Sequence, residues 1–210
     1  MKPEIVIKLF KSLKDRVDEL PKVKSKPINK FLSDNASKIA QAPASTHKDG
    51  HCCYAGGLLA HTMHVIKVAE EIRATYFPFV KKDDVFFCAL FHYMGKIGDE
   101  KHVLYVEQND QYYNNRLGFL YKENEKIDFA LAQDRTLYLL AKYNIPVSKD
   151  EWYALRNYGG TFHRENYSYV KHFTDLATVL QLAVQISTRL ERNAGKKFSQ
   201  FTEEKLCANN

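Results

Sequence analysis

The chain has 210 residues, 45% of them hydrophobic and 13% aromatic, and carries a formal net charge of +6. A chain of this length and composition can bury one sizeable apolar core, which excludes a disordered or fibrous protein and predicts a single domain over residues 1–210. No apolar run approaches the roughly eighteen residues that a membrane span requires, so no membrane partner is expected.

Residues 1–40 are predicted to form basic amphipathic helices. Apolar residues recur at helical spacing from Ile5 to Leu20, where Pro21 closes the first helix, and a second helix is expected near 28–41. Residues 1–30 contain nine Lys and Arg residues against four Asp and Glu residues. A solvated helix face is the simpler interpretation, and weak contact with nucleic acid or an acidic protein surface is the alternative. The charged N-terminus does not resemble a signal peptide, so a cytoplasmic location is expected.

The next segment is a loop that contains a vicinal cysteine pair. Its sequence, "APASTHKDGHCCYAGG", is rich in small and turn-forming residues. The cysteine spacing is neither a disulfide framework nor a zinc ribbon, so all four are interpreted as reduced thiols: Cys52, Cys53, Cys88 and Cys207. Zinc held by the vicinal pair with His47 and His51 is the less favoured alternative.

Two histidines fall on the inward faces of neighbouring predicted helices. A helix expected at 58–73 carries His61 inside its apolar stripe and His64 at the edge of that stripe. A second helix, expected at 83–95, turns His92 inward. A core histidine is usually structural, but two on adjacent helices have a spacing suited to a metal centre.

The rest of the chain is also predicted to be mainly helical. Residues 106–125 are expected to form an irregular excursion, with "HVLYVEQ" as the one strand candidate. Helices are predicted at 134–143, at 148–158 behind a Ser-Lys-Asp-Glu capping box, and from Asp175 to about Gly195. The predicted fold class is therefore all-α.

Two short segments resemble the HD superfamily of metal-dependent phosphohydrolases: "GGLLAHT" at the start of one helix and "ALFHYMGKIGD" at the end of the next. That family's signature is a His on one helix and a His-Asp pair on the next. The loop before the first segment, and the later runs "QDRTLYLLAKYNIPVSKDEWYALRNYGG" and "LQLAVQISTRLE", are similar to HD-type proteins of tailed phages. The resemblance covers residues 40–192 and implies an HD-like helical bundle with its core at 41–195.

The resemblance also implies that most metal ligands are missing. His61 and His92 match the family's histidines, but the Asp of its His-Asp pair falls on Tyr93. A later family His falls on Tyr158. In the last helix, a His and an Asp fall on two further residues, Gln181 and Val184. Two neutral imidazoles can hold a stray divalent transition metal but not a hydrated Mg²⁺, so no cofactor is expected.

The leading hypothesis is a metal-free pseudoenzyme that binds a nucleotide, another phosphorylated ligand or a partner protein, as a phage accessory or host-countering factor in the host cytoplasm. The predicted ligand contacts combine the degenerate site with two cations that match phosphate-binding positions of the family: His61, His92, Tyr93, Lys96, Arg135, Tyr158 and Gln181.

Two alternatives remain open. One is an active phosphohydrolase acting on nucleotides or RNA, with His61, His92 and either Asp99 or Asp175 as metal ligands. The other is a purely structural interaction protein with a closed pocket. The remaining histidines of the helical region are interpreted as surface residues: His64, His102, His163 and His172.

Overall fold

The structure, a computed structural model, describes residues 1–128, 130–160, 164–169 and 172–194. The all-α prediction is confirmed, because helices account for most of this part of the chain and one short hairpin is its only sheet. The helices are α1 Pro3–Asp18, α2 Lys22–Asp34, α3 Ala36–Gln41, α4 Gly57–Tyr76, α5 Lys82–Phe91, α6 Ala132–Lys142, α7 Lys149–Asn157 and α8 Asp175–Ala194.

The second predicted helix begins earlier than expected, at Lys22, and is also interrupted within its length. The helix expected at 28–41 is two helices, because Asn35 interrupts it with φ −110° and ψ 11°. The Asn35 side-chain amide donates to the carbonyl of Phe31 and to the hydroxyl of Tyr143, at 2.9 and 3.0 Å. The amide therefore caps α2 and ties its end to the C-terminus of α6.

Helix α4 is the centre of the molecule. It packs mainly against α8 on one side and α5 on the other, so most of its length is buried. Gly56 precedes it with φ +82°, a conformation that a residue with a Cβ rarely adopts. The buried side chains of all these helices form one continuous apolar cluster, in which the largest fully buried side chains are Phe31, Phe87 and Phe91.

The segment after α5 places Lys96. Helix α5 ends at Phe91, earlier than the expected 95, and a short 3₁₀ turn follows at Met94–Ile97. Gly95 lies against α6 so closely that an added Cβ would stand 2.0 Å from the Ala132 carbonyl oxygen. Its N–H donates to the Thr136 hydroxyl at 2.8 Å, which fixes the backbone on which Lys96 stands.

The excursion before α6 is more regular than expected. It contains an antiparallel hairpin, β1 Tyr105–Glu107 paired with β2 Tyr121–Glu123, and a π-helical turn at Tyr112–Arg116. The predicted capping box of α7 is present, since Ser148 and Glu151 each bond the other's backbone N–H. Within the described ranges, no helix has both the length and the apolar character needed to cross a bilayer.

Candidate functional site

Aromatic rings from three parts of the chain meet beside α4. His61 on α4 lies 5.3 Å, centre to centre, from His92 at the end of α5. Tyr93 stacks on His92 at 4.4 Å and lies 4.9 Å from His61. Tyr158, which follows α7, meets His92 edge-on at 5.7 Å. Four of the residues singled out from the sequence therefore lie together.

A buried carboxylate that the sequence analysis did not single out completes this cluster. Glu191 of α8 is only 2% exposed. Its two oxygens accept from Nδ1 of His61 at 2.7 Å and Nδ1 of His64 at 2.8 Å. Burial favours a raised pKa for Glu191, but the charges and hydrogen bonds of the two histidines outweigh it and hold the pKa well below its ordinary value.

The prediction that His64 is a surface residue is wrong. His64 is 8% exposed, because α8 packs against α4 on the side where His64 lies and brings Glu191 to it. The spacing of His61 and His64, three residues apart on one helix, is the signal that both face a common partner. His102 is partly buried beside Asp99, His172 is exposed, and His163 lies outside the described residues.

Burial keeps the other two histidines of the cluster neutral. His92 is fully buried, and burial lowers its pKa well below the ordinary value. His51, from the loop before α4, stands 4.6 Å from the His61 ring, and burial followed by the charge of His61 lowers its pKa to about 2. From its sequence position, His51 is a candidate only for the zinc alternative.

The donor atoms of this cluster limit which metal ions it could bind. Nδ1 of His92 bonds the Ala89 carbonyl at 2.7 Å, so this neutral histidine carries its proton there and has its Nε2 lone pair free, whereas Nδ1 of His61 bonds the carboxylate of Glu191. Both Nε2 atoms are buried without a partner among the described residues. Neutral nitrogens suit a divalent transition ion, whereas Mg²⁺ requires oxygen donors. No group of three or more metal-binding side chains is found in the described ranges.

The alternative carboxylate ligands lie elsewhere, which contradicts that ligand set. Asp99 accepts the backbone N–H groups of Lys101 and His102 in a partly exposed turn. Asp175 begins α8, sixteen positions and therefore about 24 Å from Glu191 along the helix axis. Neither carboxylate can join His61 and His92 at the cluster.

The residues of the zinc alternative are also occupied or separated. Nε2 of His47 lies 2.7 Å from the Leu117 carbonyl, and the His47 ring packs edge-on against Phe119. The Cys52 thiol is buried and accepts from the Tyr54 hydroxyl at 3.5 Å, and burial raises the pKa of this thiol. Cys52 and Cys53 are free cysteines.

Next to the ring cluster lies a cavity of about 510 Å³, which we call the central cavity. Three of the residues that the resemblance aligns with metal ligands line it, namely Tyr93, Tyr158 and Val184. Gln181 is not among the described lining residues, because its amide packs against Gly160. The remaining ring in the lining is that of His51.

The cations of the central cavity lack acidic partners. Lys96, Arg189 and Arg192 line it, and the described lining contains no Asp or Glu. In the part of the chain that the structure describes, none of the three cations forms an ion pair. The positive charge of Arg192 reaches the cavity rings, since it contributes to lowering the pKa of His51.

Lys96 is held between the loop and the ring cluster. Its Nζ donates to the Ala44 carbonyl at 2.6 Å and stands 3.5 Å from the centre of the Tyr93 ring. Burial lowers the pKa of Lys96 to about 7, and the charge of Glu191 opposes this only in part. An anion bound beside Lys96 would therefore stabilise the protonated form of the amine.

Arg135 is not a lining residue of this cavity. It is 7% exposed, and its guanidinium donates to the carbonyls of Gly95 and Asp128 at 3.2 and 3.1 Å. Arg135 thus supports the turn that carries Lys96, and its position gives no support to the prediction that it contacts a ligand.

No family model, no curated protein and no solved structure matches this chain.

Proposed function

We propose that this protein is a catalytically degenerate HD-like protein that binds a phosphorylated small molecule in the central cavity. The observation that carries the proposal is the lining itself, which combines Lys96, Arg189 and Arg192 with no carboxylate. Arginine and lysine are the side chains that most often bind phosphate, arginine through two parallel hydrogen bonds.

The like charges of the cavity favour the binding of an anionic ligand. Like charges that share a cavity repel each other, and two phosphate oxygens can offset that repulsion while accepting hydrogen bonds. The rings of Tyr93 and Tyr158 and the apolar side chain of Val184 supply the surface for an organic group. A nucleotide and a phosphorylated metabolite both have this combination of groups.

Two replacements support a binding role over hydrolysis. The resemblance requires carboxylates where Tyr93 and Val184 stand, and these two residues cannot balance the charge of a catalytic ion. Burial raises the pKa of Tyr93 above its ordinary value, so its phenol stays protonated and is a poor metal ligand. The one carboxylate of the cluster, Glu191, is already engaged by two imidazoles.

A calorimetric titration tests the proposal with pyrophosphate and a panel of nucleotides as probes. Arg192→Ala and Lys96→Ala should each weaken binding by roughly 1–3 kcal/mol, the range for a hydrogen bond to a charged group. Arg116→Ala is the matched control, because Arg116 is exposed on the π-helical turn and does not line the cavity. Equal losses in all three variants, or no binding to the native protein, would contradict the proposal.

The hydrolase alternative rests on the free Nε2 atoms of His61 and His92. It expects a full equivalent of a divalent transition metal in the purified protein, lost on His61→Ala, together with metal-stimulated hydrolysis of nucleotides or RNA. Our proposal expects neither. Elemental analysis and a hydrolysis assay on the same preparation distinguish the two.

Binding of a partner protein is the remaining alternative. This hypothesis predicts that no anion binds the native chain. The resemblance to phage-type proteins supports a setting in the host cytoplasm and a role as an accessory or host-countering factor.

A further inference from the structure

Lys96 has surroundings that a phosphate contact alone does not require. Besides the central cavity, its side chain lines a second cavity of about 580 Å³ beside the β1–β2 hairpin. Its Nζ is held by one carbonyl, that of Ala44, and by the face of Tyr93. None of the carboxylates in the described ranges pairs with it. Lys96 is therefore an unpaired primary amine standing between two cavities.

An amine in this position is suited to attack a carbonyl carbon. Because burial lowers the pKa of Lys96 to about 7, roughly half of the amines are unprotonated at neutral pH. Ordinary surface lysines are almost wholly protonated there and are poor nucleophiles. The amine forms a C–N bond to the carbonyl carbon, the nitrogen gives up both of its protons to the carbonyl oxygen, the C–O bond breaks to release water, and an imine remains.

The neighbouring rings orient the reacting groups, and water in the cavity carries the protons between nitrogen and oxygen. Burial raises the pKa of Tyr93 above its ordinary value, so the phenol holds its proton. Burial lowers the pKa of His51 to about 2, so its two ring nitrogens, which have no partner within the described part of the chain, take up no proton near neutral pH. Both rings line the central cavity with Lys96, where a phenol and a neutral imidazole can hydrogen-bond the carbonyl oxygen and the water that leaves.

We infer that Lys96 forms an imine with a phosphorylated aldehyde or ketone whose phosphate is held by Arg189 and Arg192. This inference rests on the proposed function, since it uses the same cavity and the same two arginines for the phosphate. It narrows the ligand class from phosphorylated compounds in general to those that carry a reactive carbonyl.

Reductive trapping tests the imine directly. The full chain is incubated with a limiting amount of pyridoxal 5′-phosphate, reduced with borohydride, digested and mapped by mass spectrometry. The reduced adduct should lie on Lys96 in the native protein and in Lys126→Arg, whose altered residue is an exposed lysine outside both cavities. Lys96→Arg keeps the charge but has no primary amine, so it should lose this adduct.

A matched pair of probes separates the imine from unspecific labelling. Pyridoxal has the same aldehyde without the phosphate, and it should label Lys96 about tenfold less, the factor for losing one charge-assisted hydrogen bond. Pyrophosphate should suppress the adduct, and Arg192→Ala should reduce it. These two measurements remain available if Lys96→Arg fails to fold. Equal labelling by the two probes, or an adduct spread over surface lysines, overturns the inference.

The two proposals fail in different ways. If pyrophosphate binds by calorimetry but Lys96 carries no adduct, the imine is wrong and the phosphate site stands. If pyrophosphate neither binds nor protects Lys96, the proposed function fails together with the imine.

Discussion

Two neighbouring regions along α8 differ in whether their charged side chains have partners of opposite charge. In the ring cluster, Glu191 is buried and both of its oxygens are bonded by imidazoles. In the central cavity, Arg189 and Arg192 come from the same turns of the helix but face open space without a carboxylate. A charge that is satisfied internally contributes to the stability of the fold. A charge left unsatisfied at a cavity is available to a ligand, so the two regions should respond to different experiments.

The largest expected effect is on stability, from Glu191→Ala. The change removes two hydrogen bonds to a charged group and leaves two buried imidazoles without an acceptor, which should cost about 3 kcal/mol of unfolding free energy. Urea denaturation at pH 7 measures it. Glu71→Ala, on the exposed face of α4, should change the unfolding free energy by less than about 0.5 kcal/mol. A similar small change for Glu191→Ala would break the comparison.

The pH dependence of stability should be the next largest effect. Burial lowers the pKa of His51 to about 2 and that of His92 well below its ordinary value, so below pH 6.5 the unfolded chain binds protons that the folded chain does not. Stability is therefore lost as pH falls from 6.5 to 4.5, by roughly 2–3 kcal/mol for His51, and His92 adds a loss in the same direction. His51→Phe should reduce the slope of unfolding free energy against pH in this window. An unchanged slope would show that His51 is protonated in the fold.

The cavity should show a smaller effect, on binding and with the opposite pH trend. Lys96 loses its proton near pH 7, so the affinity for an anion should fall by about tenfold between pH 6 and pH 8.5. Sulfate is the suitable probe because its own charge is constant over that range. Calorimetry on Lys96→Met should give an affinity that does not depend on pH. The same slope in both proteins would remove Lys96 from the site.

The smallest effect is expected from an ion pair outside both regions. Arg16 of α1 pairs with Glu70 of α4, with side chains 24% and 26% exposed, and its guanidinium lies 4.5 Å from the centre of the Phe86 ring. Because water screens such a pair, Arg16→Ala should cost no more than about 1 kcal/mol by urea denaturation. A loss as large as that of Glu191→Ala would show that burial does not distinguish the two carboxylates.

The fold could be predicted from the sequence where one face of a helix is apolar. Helices α1 and α8 have such a face, and the structure places both within two residues of the expected bounds. The junction at Asn35 could not be predicted, because it depends on Tyr143, which is distant along the chain. The hairpin is too short for its alternation to stand out among the polar residues around it.

The candidate site could be predicted only in part. The inward positions of His61 and His92 follow from apolar helix faces, whereas only the resemblance led us to expect the two tyrosines beside them. Glu191 was missed because a carboxylate in the last turns of an amphipathic helix is ordinarily solvated, and only the approach of α4 buries it. His64 was misplaced for the same reason, since a helical wheel shows the edge of a stripe but not which helix covers that edge.

The hydrogen bonds of Glu191 also fix how α8 is oriented. His61 and His64 stand about one turn apart on α4, and each holds one oxygen of the same carboxylate. Rotating α8 about its axis, or sliding it by the roughly 5.4 Å of one turn, would break both bonds together. Arg192 is the next residue along the chain. The two hydrogen bonds of Glu191 therefore set the direction in which the Arg192 guanidinium leaves the helix. A substitution at Glu191 would therefore change the angle at which the cavity presents its cations while their number stayed the same.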